Sequence, residues 1–312
     1  MIDIIIPCYN SHETLERCLG SILMQVFKDF KVTIVNDGGK NYKSIIKHYP
    51  IKIEEIGYKK NHTPGYARNY GLNNTSKPLI MFIDSDDVLY NPFVLSTMVA
   101  NFKDNFAVLA GNIIAENADG TTRVITKNRN FLHGKLYRRS FLDKYNIRFN
   151  DSGCCEDGAF NLFCSCVANK KEMFNSINYH TYGWLYNKNS LGRKNVDEWE
   201  HCKVPKGIID NNITVFKELE KRGINNSIIF EEKVIAMIHA TIQYVSNNIQ
   251  FPQYEKENKK STLLYYKEIY KYVEKEVSDE LILSILERFK ITENKEYYLN
   301  LIKNTIKSFS LE

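Results

Sequence analysis

The chain has 312 residues, 43% of them hydrophobic and 25% charged, which is the make-up of a soluble globular protein too long for one small core. Its formal charge of +5 is uneven: residues 1–195 carry 25 basic and 18 acidic side chains, and residues 196–312 carry 17 and 19. This mild, interleaved balance excludes a nucleic-acid groove, the apolar runs are too short to span a bilayer, and seven scattered cysteines argue against a disulfide framework.

Met1 leads directly into Ile2–Pro7, without a basic n-region or a small-residue cleavage site, so a cytosolic protein is expected. Ile2–Pro7 itself is a β-branched run suited to a buried strand. Ser11 is placed to cap a helix in which Leu15, Cys18, Leu19, Ile22, Leu23 and Val26 recur at helical spacing. Val32–Val35 predicts a second strand, closed by the turn residues Asn36-Asp37-Gly38-Gly39. A short helix near Tyr42–His48 and a strand over Ile51–Ile56 follow. Pro64 can open a helix that continues through Gly65–Leu72, and Leu79–Ile83 predicts the next strand.

This alternation predicts an α/β fold with a parallel sheet and right-handed crossovers. Ligands of such sheets bind beyond the carboxyl ends of the strands. Pro7-Cys8-Tyr9-Asn10, Asn36-Asp37-Gly38 and Asp84-Ser85-Asp86-Asp87 are therefore expected at one rim. Further along, the pattern predicts a helix over Phe93–Asn101 and strands over Ala107–Ile114 and Thr122–Ile125. Helices are predicted over Arg139–Tyr145 and Glu156–Val167, then an aromatic extended segment over 173–186.

Beyond about Val196 the composition turns to Lys, Glu, Asn, Ile and Tyr. Helices are predicted over 208–222, 228–247, 261–276, 279–290 and 294–309, with Pro205 and Pro252 between them. The expected organisation is an α/β domain over 1–195 that carries the candidate site and a helical region over 196–312 that serves ligand binding, packing or homo-oligomer formation. Its amphipathic faces, such as Ile282, Ile285, Leu286 and Phe289, read as internal packing; contact with a membrane is not indicated. Cys154, Cys155, Cys164 and Cys166 cluster, but not as the paired Cys-x2-Cys of a zinc site, so reduced, buried thiols are expected.

Met81-Phe-Ile-Asp-Ser-Asp-Asp87 places three carboxylates at a strand end. Oxygen ligands of this kind suit a hard divalent cation that shares them with substrate phosphates. By itself the stretch reads equally well as a capped, solvated loop.

The surrounding segments decide between these readings. Residues 4–25, "IIIPCYNSHETLERCLGSILMQ", resemble the opening of the family 2 glycosyltransferases. "VNDGG" (35–39), "NHTPGYARNYGL" (61–72), "MFIDSDD" (81–87) and "CCEDGAF" (154–160) resemble later segments of that family, in its order and over about half of the chain. The chain departs from the family at Thr63, often Gly there, and at Gly65, often Ser.

The resemblance implies a GT-A fold, a nucleotide-sugar donor (a UDP-sugar is expected), a divalent metal (Mn2+ or Mg2+), inversion at the anomeric carbon and a hydroxyl acceptor such as a bacterial or phage surface glycan or polymer. It also implies roles. Pro7 and Tyr9 would frame the base and ribose, Asp37 would accept the uracil imide hydrogen, and Arg68 and Arg193 would face the diphosphate. Asp84 would reach the ribose and Asp86 the metal, and Asn10 and Ser85 are further nucleotide-binding candidates. Asp157 would be the general base, with Glu156 beside it binding the acceptor.

His180 is a candidate third metal ligand, though a lone histidine is more often structural. Tyr182, Trp184 and Tyr186 alternate, so one strand face would be aromatic; Tyr182 and Trp184 are candidates to stack on an acceptor sugar, and core packing is the other reading. A sugar nucleotidyltransferase would want a glycine-rich, basic loop where this chain has Cys8-Tyr9-Asn10-Ser11. A non-catalytic binding module would have lost the carboxylates, yet Asp84, Asp86 and Asp157 are present.

Overall fold

The computed structural model describes residues 1–152, 155–188, 198–250, 277–288, 291 and 293–310. The chain divides into two compact units, Met1–Lys194 and Asn195–Glu312.

In the first unit the elements run β1 (Ile2–Cys8), α1 (Leu15–Leu23), β2 (Phe30–Asp37), α2 (Lys43–Ile46), β3 (Ile53–Tyr58), α3 (Pro64–Asn73), β4 (Leu79–Phe82), β5 (Val88–Leu89) and α4 (Val94–Asn101). Then come β6 (Phe106–Glu116), β7 (Thr122–Ile125), β8 (Lys135–Arg138), α5 (Arg139–Lys144), α6 (Glu156–Val167) and β9 (Met173–Trp184). All nine strands join one sheet in the order β3-β2-β1-β4-β8-β6-β9-β5, with β7 paired to β6.

The half β3-β2-β1-β4 is parallel, as the strand–helix rhythm requires. Beyond β4 the direction alternates: β8 is antiparallel to β4 and to β6, β9 is parallel to β6, and β5 and β7 are antiparallel additions. β1 and β4 lie at the centre of the core; Ile2, Ile4, Ile6, Met81 and Ile83 are fully buried against Leu15, Leu19 and Ile22 of α1. Such β-branched runs need neighbours on both faces, and β1 has strands on both edges as well.

Asp3 is buried within β1 and is satisfied there. Its Oδ2 accepts from the Lys77 N–H at 2.6 Å and from Arg139 Nη2 at 3.1 Å, which pins the entry of β4 and the start of α5 to the central strand.

Several local expectations change. Helix α1 starts at Leu15 with Thr14 at its N-cap, and Ser11 does not cap it. The Ser11 hydroxyl instead donates to the Tyr9 carbonyl and accepts from Ser85. The helix near Tyr42–His48 shrinks to Lys43–Ile46. β5 and β8 have no counterpart in the sequence reading: β5 is two residues long, and β8 begins with a fully buried lysine that hides its strand pattern.

In the second unit α7 (Glu198–Lys221), α8 (Ser227–Gln250), α9 (Asp279–Arg288) and α10 (Lys295–Ser310) are helical. Pro205 lies inside α7, not between helices as expected. Gly223, at φ +65°, ends that helix in the left-handed conformation, and Ile224 N–H returns to the Leu219 carbonyl at 2.9 Å. Val234, Met237 and Ile238 of α8 pack with Ile282, Ile285 and Leu286 of α9 and Ile302 of α10. The helix expected over 261–276 and Phe289 lie outside the described residues. Among the described residues no helix is long and apolar enough to cross a membrane.

Candidate active site

The parallel register brings the expected segments together. Cys8 pairs with Asn36, Asp37 with Tyr58, and Ile5 with Phe82, so the chain leaves β1, β2 and β4 on one side of the sheet. The Ser85 hydroxyl donates to Ser11 Oγ at 2.7 Å, directly joining the loops after β4 and β1. At this rim Tyr9 is exposed, with 53% of its surface free, Pro7 is half-buried, and Asn10 holds φ +53°.

Asp37 is buried and fixed by the segment before α3. Its Oδ1 accepts from the His62 N–H at 2.8 Å and its Oδ2 from Asn61 Nδ2 at 3.1 Å. The chain can bend there because Gly38, at φ +82°, has no Cβ; one would stand 2.5 Å from the Asn61 nitrogen.

Helix α3 opens as expected, with Pro64 at its first turn and Thr63 Oγ1 accepting from the Tyr66 N–H. It carries Arg68 into the interior. Nη2 donates to Asp84 Oδ1 at 2.8 Å, and Nη1 to Glu156 Oε1 at 2.5 Å. The guanidinium therefore links the loop after β4 to the first turn of α6. Gly65 is the close-approach point: a Cβ there would meet the Asn150 carbonyl oxygen at 2.4 Å. Its departure from the family pattern lets residues 149–151 lie directly on α3, where Asn69 exchanges two hydrogen bonds with the Phe149 backbone and Thr63 donates to Asp151.

The acidic loop is held from within. Asp84 Oδ2 faces His133 Nε2 at 3.1 Å, and the Asp84 N–H donates to Tyr182 Oη at 3.1 Å. Tyr182 Oη donates in turn to Asp87 Oδ2 at 2.8 Å, and the Leu185 N–H donates to Asp87 Oδ1. Burial works against the Asp84 charge, but Arg68 and His133 outweigh it and hold that carboxyl well below the usual range. Asp87 is pushed up to about 7, chiefly by burial and also by Asp84 and Asp86. Burial opposes a charge on His133, yet its bond to Asp84 and the charges of Asp84 and Asp87 raise its pKa.

Asp84, Asp87 and His133 are the one grouping of possible metal ligands among the described residues, with atoms within 4.8 Å of one another. All three are engaged in the network above, which makes them a brace for the loop. His133 Nδ1 is buried with no partner among the described residues, but its ring packs against Tyr182 and Trp184. Asp86 stands apart. Its carbonyl accepts from Arg17 and its Oδ2 from Asn187 at 2.8 Å, while no described residue bonds its Oδ1. Its side chain is half-buried and pairs with no cation among the described residues, which is the kind of oxygen donor a hard metal ion shares with phosphate.

Asp157 sits in the first turn of α6, half-buried, its Oδ1 accepting from the Gly158 N–H. Its charge acts on Arg68, His133, Glu156 and Lys135, which places it beside the same network.

Four sequence expectations are not met as stated. Glu156 is buried on Arg68, and burial raises its pKa against that attraction, so it positions the arginine and presents no open carboxylate to an acceptor. Arg68 is itself buried and spends both terminal nitrogens on carboxylates, so it supports the acidic loop from behind. Tyr182 is wholly buried, with no ring face for a sugar. His180 packs edge-on against Tyr90 and belongs to no grouping of metal ligands among the described residues. Trp184 is half-buried against Phe131 and His133. Arg193 and Cys154 lie outside the described residues, and Cys164 and Cys166 are buried thiols. His133, Lys135, Asn161 and Asn187 were missed because none lies in a quoted segment and each is brought in by tertiary contact; Arg17 lies within the segment 4–25, but nothing local marks its reach to the Asp86 carbonyl.

Residues 3–156 match the family model described as Glycosyl transferase family 2. The glycosyltransferase GlyA of Streptococcus pneumoniae is 27% identical over 65% of this chain and 33% of its own length. A teichoic acid poly(glycerol phosphate) polymerase of Staphylococcus epidermidis is 32% identical over 35% of this chain and 16% of its own. The chain thus spans a third or less of the length of these two relatives. Among solved structures, residues 1–349 of S. aureus TarS in complex with UDP-GlcNAc superpose with a TM-score of 0.67 at 16% identity, covering 98% of this chain and 92% of that one, which is a likeness of fold. With the family's segments in order and its sheet and acidic loop in place, this chain belongs to glycosyl transferase family 2.

Proposed function

We propose that the Met1–Lys194 unit transfers a sugar, with inversion, from a UDP-sugar to a hydroxyl of a bacterial or phage surface glycan or polymer. The observation that carries this reading is the gathering of Asp37, Asp84 and Asp86 at the ends of the two strands that flank β1, with Asp157 tied to the acidic loop through Glu156 and Arg68. The UDP-GlcNAc bound by TarS supports the donor class, and the teichoic acid polymerase supports a polymeric acceptor.

In this reading Asp37 accepts the uracil imide hydrogen, while Pro7, Tyr9 and Asn10 frame the base. Asp84, kept anionic by Arg68 and His133, accepts from a ribose hydroxyl, with Ser85 beside it. A divalent cation, Mn2+ or Mg2+, would be held by Asp86 and would neutralise charge on the departing diphosphate. Asp157 takes the proton of the acceptor hydroxyl as that oxygen bonds to the anomeric carbon. The bond to the diphosphate oxygen breaks on the opposite face, and UDP departs with that electron pair. Arg193 is assigned to the diphosphate and Trp184 to the acceptor side.

The test is a thermal-shift panel of nucleotide-sugars with and without Mn2+, followed by UDP release with candidate polymer acceptors. A UDP-sugar that raises the melting temperature only with the metal, and is turned over, supports the reading. Stabilisation by nucleoside triphosphates with no response to UDP-sugars would overturn it.

A further inference from the structure

Lys135, the first residue of β8, is 0% exposed and makes no ion pair with any described carboxylate. A buried ammonium without a partner is costly, and its position is otherwise that of an apolar strand residue. Its Nζ donates to the Phe131 carbonyl and to Asn161 Oδ1 at 3.1 Å, and it lies 5.3 Å from the Phe174 ring centroid. Asn161 is a hub. Its Oδ1 also accepts from Tyr137 Oη at 2.8 Å, and its Nδ2 donates to the carbonyls of Asp157 at 2.8 Å and Asn130 at 3.0 Å. One amide therefore joins the buried ammonium to the turn that carries the candidate base.

We infer that Lys135 and Asn161 are positioning residues for Asp157: the ammonium holds the Asn161 amide, that amide fixes the first turn of α6 on β8, and Asp157 feels the positive charge across it. This rests on Asp157 acting as the general base. β8 borders β4, so the same contact sets the base relative to the strand that ends in the acidic loop. Burial pushes Lys135 down to about 7, and Asp157 is the carboxylate whose charge supports its ammonium form. The other charged or titratable groups around this pair are Cys164 and Glu156 on α6, Tyr137 on β8, His133 just before it and Arg68 on α3.

The experiment follows the Lys135 side chain by NMR in protein labelled at the lysine Cε carbons. In Asp157→Asn, which keeps Lys135 in place, its titration midpoint should fall by about half a unit or more relative to the unsubstituted chain, because the supporting charge is gone. An unchanged midpoint overturns the inference. Next, UDP release from UDP-GlcNAc is followed against pH for Lys135→Met. The acidic limb should move to higher pH with the donor KM kept. A lower melting temperature with the limb unmoved would show a merely structural residue. Asn161→Ala should lower kcat about tenfold or more at constant KM, since slight displacement of a catalytic group is expensive; parallel loss of UDP binding would count against positioning. Turnover by Asp157→Asn tests the base assignment separately, because the lysine titration needs no turnover.

Discussion

Arg68 Nη2 donates to Asp84 Oδ1 at 2.8 Å while Nη1 of the same guanidinium holds Glu156, so one buried cation spans the acidic loop and the turn that bears Asp157. Breaking a buried pair leaves an uncompensated charge, which costs about 3–5 kcal/mol. Arg68→Met should therefore lower the melting temperature strongly and abolish UDP binding, as calorimetry would show. Arg68→Lys keeps the charge but cannot make both contacts, and it should recover only part of the stability.

Asp157→Asn should remove transfer by about 10²-fold or more while UDP binding is retained. Asp86→Ala should instead abolish the Mn2+-dependent part of UDP binding. Isothermal titration of UDP with and without the metal separates the two roles. Equal loss of UDP affinity in both variants would show the assignments to be wrong.

Tyr182→Phe removes one oxygen and strands two buried groups, the Asp84 N–H and Asp87 Oδ2. The expected cost is about 1–3 kcal/mol, read as a shift of the denaturation midpoint at constant slope. A neutral outcome would mean that the hydroxyl does not hold the acidic loop.

Two buried groups shape stability against pH in opposite ways. The folded Lys135, pushed down to about 7 from 10.5, binds its proton less tightly than the unfolded chain does. Its contribution to stability therefore rises between about pH 7 and 10. The folded Asp87, pushed up to about 7 from 3.8, binds its proton more tightly, so its contribution falls between about pH 4 and 7. Melting temperatures across pH should show Lys135→Met lacking the first slope and Asp87→Asn lacking the second.

Gly65→Ser restores the residue common in the family but places a Cβ 2.4 Å from the Asn150 carbonyl oxygen. The segment over 149–151 must then shift, at about 1–3 kcal/mol by analogy with overpacked cores. Displacing this segment also disturbs Glu156, so kcat should fall with stability. Wild-type stability in Gly65→Ser would show that the segment yields freely.

Much of the parallel half was legible because its signals are local. β-branched runs, the Asn-Asp-Gly turn and Thr63-Pro64 each act within a few residues, and β1, β2, α3 and β4 appear close to where they were expected. The antiparallel half was not legible. β5 exists only because Val88 and Leu89 lie against Gly183 and Tyr182, and β8 carries a buried lysine that only Asn161 and Phe131 satisfy. Pro205 misled for the converse reason: the missing donor of one proline costs a single turn of α7, and the rest of that 24-residue helix outweighs it.

By itself the sequence determined which residue types stand at the ends of β1, β2 and β4, and so the chemistry available there, because turn residues and carboxylates act from where they sit in the chain. The tertiary structure alone decided which carboxylates stay open. Folding buries Asp87 under Tyr182, spends Glu156 on Arg68, recruits His133 to Asp84 and ties Lys135 through Asn161 to the turn of Asp157. Desolvation and pairing depend on neighbours distant in sequence, and no local pattern of residues encodes them.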